Sequence, residues 1–237
     1  MVASGVPVQG VEGVPDGQRD PIARMLVAQL IEQVPAGDLP KDASLSEAEH
    51  FVAQHPQVCR EILELLDVLE PRISHVTRPL STHPGIPLRV HGRYTRFEIL
   101  AAFGDGELAR TPVWREGVKW MPNAMADLFT ITHNKTDGSF SPSTSYKDYA
   151  ISPTRFHWES QSTTTERSPT GRRYQHHAED GSAVILFARL NQSERAFLCL
   201  GPARYVSHVG EKPMAIVWDL DVAIPGDVFP ALAAAVS

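Results

Sequence analysis

The chain has 237 residues, 42% of them hydrophobic and 21% charged, which suits one large soluble domain or one domain with a helical appendage. Its two cysteines, Cys59 and Cys199, lie far apart and form no CxxC, so a disulfide framework and a cysteine-based metal site are both excluded and a reduced, cytoplasmic setting is expected. The net charge of −6 excludes a generally basic nucleic-acid binder, but six Lys/Arg against twelve Asp/Glu fall in residues 1–82, which leaves the remainder neutral. No apolar run reaches the length of a membrane span, and the N-terminus lacks the basic-then-apolar order of a signal peptide.

Residues 1–20 are rich in Gly, Val, Pro and Asp without periodicity and read as a disordered lead-in. A helical module is expected over residues 21–80. Pro21 opens a first helix with a stripe at Ile22, Met25, Leu26 and Leu30 that Pro35 ends. Ser46 and Glu49 have capping-box spacing for a second, and Pro56 opens a third with Val58, Ile62, Leu65, Leu66 and Leu69 at helical intervals. Pro79, Pro84 and Pro87 mark a boundary. Beyond it, Thr95 and Glu98 form a further capping box for a helix through Phe103, stopped at Gly104.

From there the pattern turns to strands: 117–121, 127–132, 155–161, 182–190, 196–200, 204–208 and 214–222, with a terminal helix over 230–236. The expected class is α+β: a short acidic helical N-terminal module followed by a mixed, barrel-like β domain over residues 88–226.

One stretch, Phe140 to His177, sets Tyr146, Tyr149, Phe156, Trp158 and Tyr174 among Ser, Thr, Gln and Arg. Flat rings interleaved with hydrogen-bonding groups suit a planar, polar ligand such as a base. Tyr146, Tyr149, Trp158 and Tyr174 are candidates for stacking, His157 and Gln161 for reading base edges, and Arg172 and Arg173 for holding phosphate. The competing reading puts Phe156 and Trp158 in the core and the polar residues on a solvated loop.

The blocks ELLDVLEPRISHVTRPL, HGRYTRFEILAAFG, WREGVKW, DLFTITHNK, FSPSTSYKDYAIS, FHWESQSTT, SPTGRRYQHH and LGPARYVSHVGEKPMAIVWDL occur in order between about Leu63 and Pro225. In them the chain resembles the uncharacterised C-terminal domain of bacterial DEAD/DEAH-box helicase-like proteins, many of which carry an N-terminal phospholipase-D-like nuclease domain. The resemblance implies a DNA-processing context such as a restriction or defence system, and a separate helicase or nuclease subunit as partner. It assigns no activity to any residue. The chain itself has no GxxxxGK[ST], no Asp-Glu box and no His-x-Lys pair, so it lacks the ATPase core and nuclease motif of the larger members.

The sequence thus predicts a nucleic-acid recognition module, with DNA as partner, no cofactor, and no catalytic activity in this chain. It senses modified or distorted DNA on this reading. Two alternatives stand beside it. One is a protein scaffold that docks a motor or nuclease subunit through the acidic helices. The other is a metal-dependent nuclease built on Asp127, Lys135 and Glu159, although no short metal-ligand spacing supports it.

Overall fold

The structure is a computed structural model that describes residues 19–73, 75–104, 109–110, 112, 114–134 and 148–233. The expected lead-in before Arg19, Lys135 and Tyr146 lie outside these residues. Helices α1 (Arg19–Leu30), α2 (Leu45–Ala53) and α3 (Pro56–Leu69) come first, followed by the short strands β1 (Arg78–Pro79), β2 (Arg89–Val90) and β3 (Arg93–Tyr94) and helix α4 (Arg96–Ala102). The chain then runs through β4 (Val118–Met121), β5 (Ala126–Asn134), β6 (Tyr149–Ser152), β7 (Arg155–Glu159), α5 (Pro169–His176), β8 (Ala183–Asn191), β9 (Phe197–Val209), β10 (Ala215–Leu220) and α6 (Phe229–Ala233).

The class is mixed α+β, as the sequence predicts. The large sheet has the order β4-β5-β8-β9-β10-β7-β6, with β3 also paired to β9. Among the described residues only β5 and β8 pair in parallel, because β6, β7 and α5 lie between them in the chain and form the crossover. No ladder among the described residues joins β4 or β5 to β6, so the sheet is open and the expected barrel does not close. It nevertheless curls strongly: Phe129 of β5 and Trp158 of β7, with three strands between them, bring their ring centroids to 4.4 Å.

The apolar run of β8 is buried on both faces, which is why it reads as continuous and not alternating. Val184, Leu186 and Ala188 enter the core inside the curl, with Phe129, Phe156, Trp158, Tyr174, Ile216 and Trp218. Ile185 and Phe187 enter a second core under α4, with Ile99, Leu100, Phe103 and Trp114. A third cluster, Val27, Ile31, Leu39 and Ala48, joins α1 to α2. Arg110 ties that cluster down by donating to the carbonyls of Ile31, Val34 and Leu39.

The two capping boxes differ in outcome. Thr95 and Glu98 cap α4 as their spacing predicts. In α2 the cap is Ser44 with Glu47, two residues before the expected Ser46 and Glu49, because this register turns Ala48 into the α1–α2 core. Strands expected over 196–200 and 204–208 are one continuous β9. Gly201 lets them join: its φ is +91°, and a Cβ there would sit 2.8 Å from Val90, where β8 and β9 change register.

Candidate nucleic-acid interface

Strand alternation decides where the candidate residues of β6 and β7 point. Phe156 and Trp158 face inward and His157 faces out, where it stacks on its cross-strand partner Tyr149 at 4.8 Å and 22°. Trp158 is only 6% exposed and Tyr174 3%; Trp158 lies tilted on Phe129 and edge-on to Tyr174, and Tyr174 also meets Phe129 and Trp218 edge-on. The expectation that Trp158 and Tyr174 offer ring faces to a base is therefore corrected: their neighbours in the core occupy those faces. The edge of Trp158 still forms part of a cleft wall.

The phosphate pair also divides. Ser168 caps α5 and Pro169 occupies its first turn, so Arg172 and Arg173 lie on adjacent, differently directed positions of one short helix. Arg172 is exposed and lines a groove of about 430 Å³ with Arg167, Trp120 and Ser182. Arg173 turns inward. It grips the fully buried Asp127 with two donor hydrogen bonds of 2.6 and 2.9 Å and stacks on Trp120 at 4.3 Å. Burial pushes the Asp127 carboxyl up while the Arg173 fork opposes it, and the carboxylate in turn holds the Arg173 guanidinium charged. Arg173 is committed to this pair, which corrects its reading as a free phosphate ligand. It also removes Asp127 from the metal-nuclease alternative, and no group of three His, Cys, Asp or Glu among the described residues would hold a metal ion.

His177, next to this pair, is buried against Trp218 and accepts the Tyr205 N–H at Nε2, 3.2 Å away, with Nδ1 3.3 Å from the Ser182 carbonyl. Burial lowers its pKa, so unfolding takes up a proton in mild acid. Its contribution to stability is complete above its unfolded value of about 6.5 and is lost as pH falls through and below that value. Urea denaturation at pH 8 and pH 5.5 should show this loss, and His177→Gln should flatten the dependence.

The remaining candidate, Gln161, is exposed on the rim of a cleft of about 400 Å³, within the roughly 300–1,000 Å³ usual for ligand pockets. The cleft exists because β5 runs beyond the start of β4: after the Thr130 N–H reaches the Gly117 carbonyl at 2.7 Å, Ile131 and Thr132 are left at an open edge. Arg96, Arg115 and Arg189 line it, as do Asp148 and Glu159. Sequence reasoning had not assigned these arginines.

Arg96, at the first position of α4, donates to Thr130 Oγ1 at 3.0 and 3.3 Å. Arg189, near the end of β8, donates from Nε to Thr132 Oγ1 at 2.9 Å and from Nη1 to the Glu194 carbonyl. Both guanidiniums sit over the Phe197 ring, at 5.3 and 4.5 Å. Burial lowers the pKa of each, Arg189 lowers that of Arg96 further, and the Glu194 carboxylate partly offsets the effect at Arg189; both stay charged.

Among the described residues, no carboxylate lies within ion-pair distance of Arg96, Arg115 or Arg189, and Arg96 Nη1 and Arg189 Nη2 carry no hydrogen bond. Two desolvated like charges with donors to spare form a place for an anion. The sequence did carry a signal for them. An arginine at a helix N-terminus opposes the macrodipole, and an arginine inside an apolar strand run must find polar partners.

No curated protein matches the chain. A family model does match residues 88–232, from β2 through most of α6 and more than half of the chain. The chain therefore belongs to the family described as domain of unknown function DUF3427, and its arginine cleft lies within the matched residues.

Proposed function

We propose that this domain is a nucleic-acid recognition module, with DNA as its ligand, that serves a bacterial helicase or nuclease system. The observation that carries this reading is the convergence of Arg96, Arg115 and Arg189 in one cleft, none of them in an ion pair among the described residues. The arginines supply a phosphate site, the Trp158 edge and Val118 an apolar wall, and Gln161, Asp148 and Glu159 the donors and acceptors that read a base edge. Arg167 and Arg172, in the neighbouring groove beyond Trp120, extend the positive surface along β4. The domain works without catalysis of its own, and a separate subunit supplies any motor or cutting activity.

The test is binding of the full chain to duplex, single-stranded and base-modified DNA, followed by fluorescence anisotropy across a salt series. Arg115→Ala and Arg172→Ala, both at exposed positions, should each lower the slope of log affinity against log salt by about one. Gln161→Ala should compress the differences between DNA types while the salt slope stays. Absence of DNA binding at low salt, or affinity that ignores all three substitutions, would overturn the reading.

A further inference from the structure

Helix α3 buries none of its fourteen residues, although its sequence is strongly amphipathic. Val58, Ile62, Leu65 and Leu69 follow the four-three-four spacing of a helix–helix seam, and Leu66 widens the face. Leu65 is 54% exposed, Leu66 52%, and Leu69 43%. Its first turns lean on α2, where the Cys59 thiol reaches the Val52 carbonyl at 3.6 Å. An apolar face about 17 Å long from Val58 to Leu69, at 1.5 Å per residue, thus stands open on the surface.

Within the helix and its C-cap residue its borders are acidic, the one basic residue, Arg60, lying on the opposite side and Arg72 following in the next turn. At about 100° per residue, Glu61 falls on one side of the face and Glu70 on the other, with Glu64 and Asp67 behind. Among the described residues none of these four carboxylates has an ion-pair partner. A second copy of α3 would set acid against acid along both borders, whereas a helix flanked by Lys or Arg would meet a complementary rim.

We propose that α3 is a docking surface for a basic amphipathic helix of a partner protein. The seam residues supply affinity through burial, and Glu61 and Glu70 select the partner by charge. This surface is separate from the arginine cleft and does not depend on DNA binding.

The probe is a synthetic peptide of about 21 residues with Leu at the a and d positions and Lys at e and g, compared with a control carrying Glu in place of Lys. The full chain should bind the basic peptide at least about tenfold more tightly than the acidic one, and less tightly as salt rises. Leu65→Gln with Leu69→Gln should reduce that binding about tenfold or more while the melting temperature stays unchanged. Glu61→Lys with Glu70→Lys should reverse the preference. Equal binding of both peptides would overturn the proposal. So would a concentration-dependent dimer in sedimentation that the Leu65/Leu69 variant abolishes, since a second copy would then cover the face. A fall in melting temperature in that variant would overturn it too, by placing the face against the chain itself.

Discussion

Trp158→Ala is expected to cost about 3–5 kcal/mol of folding stability, the range for deleting a large buried aromatic. The ring closes the curl of the sheet: it meets Phe129 at 4.4 Å and Tyr174 at 5.6 Å, and nothing in that packed interior relaxes easily to fill the gap. Urea unfolding of the variant measures the cost. Any effect on DNA affinity should follow the folded fraction, and Trp158→Phe should recover much of both. A variant as stable as the parent, yet unable to bind, would return Trp158 to the role of a stacking platform.

Arg173→Ala should be destabilising on a similar scale, about 3–5 kcal/mol, because it strands the buried Asp127 carboxylate. The cost is the unpaired charge and not the worth of the bond, so Asp127→Leu with Arg173→Met should lose less than Arg173→Ala alone. Equilibrium denaturation of the single and double variants separates these. If Arg173→Ala proved neutral and instead weakened DNA binding with a lower salt slope, Arg173 would belong to the phosphate site. Neighbouring Arg172, one position along α5 and exposed, should show the opposite behaviour: stability intact, salt slope reduced.

The helices were legible because their signals are local. A proline at the first turn of α3, the Thr95–Glu98 box and the apolar spacings all act within a few residues. Most of the long strands were legible from their β-branched and aromatic content, whereas β6 and the two-residue strands β1, β2 and β3 were not. Helix α5 was not, since PTGRRYQH has few apolar residues and reads as a loop until Tyr174 and Gly171 are seen packed beneath it. A Cβ at Gly171 would approach the Thr165 carbonyl to 2.0 Å, so this helix depends on a close approach that no pattern announces.

The site was legible only at its rim. Gln161 lies on the cleft, and the aromatic-rich stretch does border it through Trp158, but the stretch spends its rings on the core and Arg173 on Asp127. Density of aromatics among polar groups is the same in sequence whether the rings face a ligand or each other. Only strand alternation and the curl of the sheet decide which.

By itself, then, the amino-acid sequence determined the α+β class, the starts of α3 and α4, most of the long strands and the family blocks, because each rests on short-range pattern. Tertiary structure alone decided that the sheet stays open, that β9 is one strand, and that Arg96 and Arg189, far apart in the chain, share the Phe197 ring. It decided also that α3 keeps its apolar face outward. Those are matters of which surfaces meet, and the energy of a meeting is set by both partners at once, whereas a sequence window holds only one.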